Sequence, residues 1–210
     1  MKTILCYGDS NTWGMSPSTL DRYAPDVRWP GVIQNELGIG YHIAEEGLPG
    51  RTTVREDPIE QGCNGKTYLV PCLASHSPLD LVIIMLGTND LKMRFSVPAL
   101  DIAAGIGVLV SIVKHSQSGQ DDESPEILVV SPPAINPHQD RGEWDVYEGG
   151  IEKSQKLGKA LSLVADEHNV YFFDAVEVIQ SSEIDGIHMD PDAHRTLGEN
   201  LAVACKRILS

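Results

Sequence analysis

Two hydrophobic rhythms alternate along the chain. Short, nearly unbroken apolar runs rich in β-branched and aromatic residues occupy Thr3 to Tyr7, Tyr41 to Ala44, Asp80 to Leu86, Glu126 to Val130 and Val170 to Asp174. Each has the length of a strand. Between them, apolar residues recur at helical spacing. Trp29-Pro30 opens one such stretch, Val32, Ile33 and Leu37 give it an apolar side, and Gly38 ends it. Tyr68, Leu69, Cys72 and Leu73 suggest a helix in the second half of Gln61 to His76, although Pro71 counts against it. A long helix follows Pro98, another runs from about Ile151 to Asn169, and Leu197, Leu201, Ala204 and Ile208 mark a last one. Alternation of this kind predicts an α/β fold, a parallel sheet of five strands with helices on both faces. The continuous apolarity of Asp80 to Leu86 suits a central strand covered on both sides. With no repeat or linker in view, residues 1–210 are expected to form a single domain.

The polar punctuation after the strands carries the chemistry. Gly8-Asp9-Ser10-Asn11 follows the first strand, Glu45-Glu46-Gly47-Leu48-Pro49-Gly50 the second, and Gly87-Thr88-Asn89-Asp90 the third. In parallel sheets ligands sit outside the carboxyl ends of the strands. Ser10 therefore stands where a reactive group belongs, although Asp9 or Ser10 could equally be an ordinary helix cap. The segments 15–26 and 117–125 read as loops. The stretch 134–150, with Trp144 and Tyr147, is long enough to expect a functional or contact role.

Before the last helix lies Asp185-Gly186-Ile187-His188-Met189-Asp190-Pro191-Asp192-Ala193-His194. An Asp three residues before a His can fold back onto the imidazole, fix its tautomer and stabilise the imidazolium formed when the ring takes a proton. The other ring nitrogen can then serve a nucleophile, and Ser10 is the obvious partner, since a serine hydroxyl is weak without a base. The backbone N–H of Ser10, the N–H of Gly50 and the amide of Asn89 can supply donors to a tetrahedral oxyanion. A rival reading takes Asp185, His188, Asp190, Asp192 and His194, with Asp9, as ligands for a divalent metal that activates water. Asp190 and Asp192 more simply begin the last helix.

Composition narrows the field. The formal charge of −14 disfavours nucleic acid and anionic membrane as partners. A hydrophobic share of 41% is too high for a disordered chain. Cys6, Cys63, Cys72 and Cys205 match no zinc spacing; Cys63 and Cys72 could pair, which sequence leaves open. No Gly-x-Gly-x-x-Gly follows the first strand, and no apolar run is long enough to span a bilayer. The strand signal begins at Lys2 and leaves no room for a signal peptide, so a cytoplasmic location is expected.

Taken together, Gly8-Asp9-Ser10, the Gly50 turn, Gly87-Thr88-Asn89-Asp90 and Asp185-x-x-His188 resemble the four sequence blocks of the SGNH (GDSL-type) hydrolases, in order and spacing. The longer strings Gly8 to Gly14, Glu45 to Leu48, Arg51-Thr52-Thr53 and Ile84 to Asp90 resemble the bacterial arylesterase and acyltransferase (perhydrolase) branch. The resemblance implies a flavodoxin-like three-layer α/β/α sandwich. It implies Ser10 as nucleophile, His188 as base then acid, Asp185 as its orienter, and Ser10, Gly50 and Asn89 as the oxyanion hole. It implies hydrolysis of small carboxylic esters, of short acyl or aryl type, with acyl transfer to alcohols or peroxide as a further outcome, and no cofactor or metal. Asn11, Trp13, Lys92 and Ile187 are candidate pocket residues. Asn11 departs from the Leu of the motif's name, which puts acyl or alcohol preference in question rather than the chemistry. A homo-oligomer, an octamer among the forms, is implied too, with Trp144 and Tyr147 shielding the pocket or lying at a subunit contact. A non-catalytic binding protein on the same fold is the remaining alternative.

Overall fold

Five parallel strands form one sheet in the order β2-β1-β3-β4-β5. The computed structural model describes residues 1–136 and 146–210. The strands are β1 (Lys2–Gly8), β2 (Tyr41–Gly47), β3 (Leu81–Met85), β4 (Glu126–Ser131) and β5 (Tyr171–Asp174). The helices are α1 (Ser10–Trp13), α2 (Trp29–Leu37), α3 (Gly65–His76), α4 (Ala99–Lys114), α5 (Gly150–His168) and α6 (Pro191–Ile208). This is the flavodoxin-like strand order, and the crevice between β1 and β3 is where it reverses.

Side-chain alternation along the strands divides the core in two. Leu5, Tyr7, Val82, Ile84 and Val129 face α3, α4 and α5. Ile4, Cys6, Ile83, Met85, Leu128 and Val130 face α2 and α6. Every residue of β3 is buried, as its unbroken apolar run requires.

Two elements differ from expectation. β2 continues through Glu45-Glu46-Gly47, because its register on β1 holds to the last pair, Gly8 with Gly47. An edge strand tolerates this polarity: the Glu45 carboxylate takes a 2.7 Å bond from Arg28 Nε. α3 starts earlier, at Gly65, because Asn64 caps it through a 2.9 Å bond from the Lys66 N–H. Pro71 lies inside that helix on its exposed side. All four cysteines are buried free thiols, so Cys63 and Cys72 do not pair. Among the described residues no helix is long and apolar enough to cross a membrane.

Candidate active site

The reversal point brings together residues far apart in sequence. At the end of β1 the Asp9 carboxylate accepts the Asn11 N–H at 2.9 Å and so caps α1, a single turn. Asp9 is thus the cap that sequence allowed, and Ser10, the first residue of the turn, lines a cavity of about 320 Å³. From the other end of the chain, His188 sets its Nε2 3.0 Å from Ser10 Oγ. Its Nδ1 lies 2.6 Å from Asp185 Oδ2. The other oxygen of Asp185 accepts the N–H groups of Ile187 and His188, each at 2.9 Å. Burial pushes the Asp185 carboxyl up, but the bond from His188 and the two backbone donors outweigh it and hold the group below the usual carboxylate range. It therefore stays ionised beside the imidazole.

Gly50 and Asn89 line the same cavity. Gly50 sits at φ +82°, and a Cβ there would come within 2.4 Å of Glu60 Oε2. Gly47, the other glycine of that turn, instead abuts the Trp13 backbone, where a Cβ would lie 2.1 Å from the Trp13 nitrogen. The Asn89 amide donates to the Arg51 carbonyl at 3.1 Å and reaches toward Asp9 Oδ2 at 3.5 Å. The second contact is long enough to yield to a better acceptor.

The pocket expectations divide. Lys92 and Ile187 line the cavity. Asn11 and Trp13 do not. The Asn11 amide turns away to the Ile187 carbonyl at 3.2 Å and so ties the Ser10 turn to the histidine loop. Trp13 is covered by the Arg22 guanidinium, 5.3 Å from its ring, while Arg22 Nε donates to the Trp13 carbonyl. Met15 takes the place on the cavity wall, because the chain turns back after Gly14 and bridges Met15 to Arg22. Tyr147 is buried in the wall, whereas Trp144 and residues 137–145 lie outside the described residues.

Other residues at the site stood in or near the quoted motifs with no role assigned to them. Arg51 is 2% exposed; it donates to the carbonyls of Gly8 and Glu46 and lies over the rings of Tyr7 and Tyr68 at 4.2 and 5.2 Å. Asp90 accepts the Thr53 N–H at 2.9 Å and its hydroxyl at 2.6 Å, joining the Asn89 turn to the Gly50 loop. Glu60 and Arg94 complete the rim. Lys92 Nζ lies 2.8 Å and Arg94 Nη2 2.7 Å from Glu60 Oε1, and Arg94 also meets Asp57 at 2.6 Å. Arg51 and Asp90 stand in the strings Arg51-Thr52-Thr53 and Gly87 to Asp90, but those strings do not reveal their partners, which lie on β1, β2, α3 and the Thr53 loop.

The candidate metal cluster does not assemble. Asp190 accepts the Ser182 hydroxyl at 3.0 Å, and exposed Asp192 pairs with Arg195 at 2.8 Å. His194 is buried and its Nδ1 accepts the Trp29 N–H at 3.3 Å. Asp190 is the N-cap of α6 by position, yet its carboxylate makes no capping bond, being committed to Ser182. A larger groove of about 510 Å³ between α4 and α5 is lined mainly by aliphatic residues and holds no comparable constellation.

Residues 6–196 match the GDSL-like lipase/acylhydrolase family. The chain is similar to the M. smegmatis aryl esterase, whose native and inhibitor-bound structures share 45% identity and a TM-score of 0.96 over 100% of both chains. It is also similar to Est24, a carbohydrate acetylesterase from Sinorhizobium meliloti, at 42% identity and TM-score 0.96, covering 99% of this chain and 100% of that one. A carbohydrate acetylesterase family member from the same organism shows 38% identity and TM-score 0.95, with 100% and 99% covered. No curated protein sequence matches.

Proposed function

The chain belongs to the GDSL-like lipase/acylhydrolase family, and on that premise we propose that it hydrolyses small, uncharged carboxylic esters through an acyl-Ser10 intermediate. One observation carries the proposal: the continuous line from Asp185 through His188 to Ser10, with contacts of 2.6 and 3.0 Å. In the first step Ser10 Oγ attacks the ester carbonyl carbon and its proton passes to His188 Nε2. The carbonyl oxygen becomes an oxyanion served by the Ser10 and Gly50 N–H groups and the Asn89 amide. Collapse expels the alcohol, which takes the proton from His188. Water then repeats the sequence against the acyl group and frees the acid.

Several features support a small, neutral substrate. The cavity, about 320 Å³, is at the small end of ligand sites. Its charged rim is internally matched, since Lys92 and Arg94 are paired with Glu60 and Asp57. Among the described residues no lone cation lines the cavity to demand an anionic substrate. The relatives' names, an aryl esterase and a carbohydrate acetylesterase, point to phenyl and sugar acetates as the first compounds to try. Met15, Val146 and Ile187 give the cavity apolar walls, which favours an alcohol over water at the acyl group and supports acyl transfer as a second outcome.

Replacement of Ser10 by Ala tests the reading. Hydrolysis of phenyl acetate is expected to fall by about 10⁶ if the three residues act as a unit. Turnover near the wild-type rate would overturn it.

A further inference from the structure

α3 presents Tyr68, Cys72 and His76 to β2 at successive turns, four residues apart. Glu46, next to last in β2, faces that line. Its Oε1 lies 2.7 Å from His76 Nε2, and its Oε2 accepts the Tyr68 hydroxyl at 3.2 Å. Cys72 is buried, whereas Glu46 and His76 are partly exposed. The carboxylate oxygen, the sulfur and the imidazole nitrogen all lie within 4.8 Å of one another, the only such trio among the described residues. None of these residues lines the Ser10 cavity.

We propose that Glu46, Cys72 and His76 form a binding site for a thiophilic divalent cation of the zinc class, separate from the site of ester hydrolysis. Three donors of one sulfur, one nitrogen and one oxygen suit zinc or cobalt and are poor for calcium or magnesium. Around a tetrahedral ion at zinc–ligand distances the donors would stand about 3.5 Å apart. The trio must therefore draw in by about 1 Å at its widest. The partly exposed Glu46 and His76 side chains have the freedom to do so, and a solvent molecule can fill the fourth position. The Tyr68 hydroxyl is already placed to orient the carboxylate from behind, as outer partners of metal ligands do.

Binding has a defined proton balance. The ion takes the Cys72 sulfur as thiolate, and the thiol proton goes to solvent. Burial first, and the Glu46 carboxylate second, push that thiol up to about 12, with the Arg51 cation acting against them. The ion must therefore draw the proton off, and affinity should weaken on acidification. His76 gives up its bond to Glu46, passes the Nε2 proton to solvent and keeps or takes one on Nδ1, so that the neutral ring offers a bare Nε2 to the ion.

Cobalt(II) added to the chelator-stripped full chain is the direct probe. One equivalent is expected to bind, with a near-ultraviolet thiolate-to-metal charge-transfer band. Cys72→Ser should remove the band. His76→Ala should weaken binding at least about tenfold, while the metal-free variant hydrolyses phenyl acetate like the parent. Absence of the band at millimolar cobalt, or a band of equal strength and affinity in both variants, would overturn the proposal. If Cys72→Ser does not fold, His76→Ala, at a partly exposed position, decides alone. The readout is optical and independent of the esterase reading.

Discussion

Asn89 makes the residue-scale argument concrete. One side-chain amide holds the Arg51 carbonyl at 3.1 Å, which fixes its plane, and leaves its second hydrogen on a weak 3.5 Å contact with Asp9. That hydrogen is free to serve an oxyanion. Asn89→Ala is therefore expected to lower kcat by about 10²–10³ with little change in KM; steady-state kinetics on phenyl acetate check it, and an unchanged kcat would remove Asn89 from the proposed hole. In the proposed mechanism Asp185 acts through His188, which it contacts at 2.6 Å, and not on the substrate. Asp185→Asn should lower kcat by about 10⁴, as a neutral amide no longer favours the required tautomer, and circular dichroism should show the fold retained. The same scale shows where sequence stops. Ser10, Asp185, His188, Gly50 and Asn89 stood out because each follows a strand or precedes a helix in a recognisable turn. Trp13 did not follow that logic: its ring is claimed by Arg22, whose approach depends on the irregular segment after Gly14. No periodicity encodes such a loop.

At the scale of elements, the site rests on braces between loops. The buried Asp90 carboxylate takes both the N–H and the hydroxyl of Thr53, so the β3 turn and the loop after β2 move as one piece. Burial pushes Asp90 up to about 6, against the pull of the Thr53 bonds. Asp90→Asn can replace only one of the two acceptor oxygens. It should reduce kcat by about tenfold through a misplaced Gly50, more than it changes KM, and an unaltered kcat would show that the brace is not needed. α2 and α6 meet at a second joint, where neutral His194 accepts the first N–H of α2 from Trp29. Burial, with the nearby His188 and Arg28 charges, lowers this imidazole to about 3. Its folded value lies below its unfolded one, so the unfolded chain binds the extra proton and stability is lost as pH falls from about 6.5 toward 3. Asp9 and Asp90, each raised to about 6 mainly by burial, act in the opposite sense between about 4 and 6, because the fold favours their protonated forms. Their effect is common to parent and variant. His194→Asn keeps an acceptor for Trp29 but cannot take the proton. Its Tm should fall less steeply between pH 6.5 and 4 than the parent's, measured by thermal denaturation; parallel curves would contradict the assignment.

For the molecule as a whole, the strand–helix alternation was legible in the sequence because parallel strands buried on both faces leave unbroken apolar runs. The last third of β2 was not, since Glu45 and Glu46 are strand residues only by virtue of pairing with β1. α3 was half visible, because a proline on its exposed side mimics a helix end. The residues proposed for the site could be picked out without their elements, because the chemistry proposed for them demands particular residue types whatever their secondary structure, and the fold does bring Ser10, His188 and Asp185 together. What sequence could not supply was distance: only the strand order β2-β1-β3-β4-β5 brings residue 10 to residue 188. In the proposed mechanism this meeting makes Ser10 a nucleophile. Intact-mass analysis after incubation with an aryl phosphonate, followed by peptide mapping, tests it most directly. One phosphonyl group per chain is expected, on Ser10, with ester hydrolysis lost in step and no labelling of Ser10→Ala. An unlabelled Ser10 in a chain that still hydrolyses phenyl acetate after that treatment would contradict it.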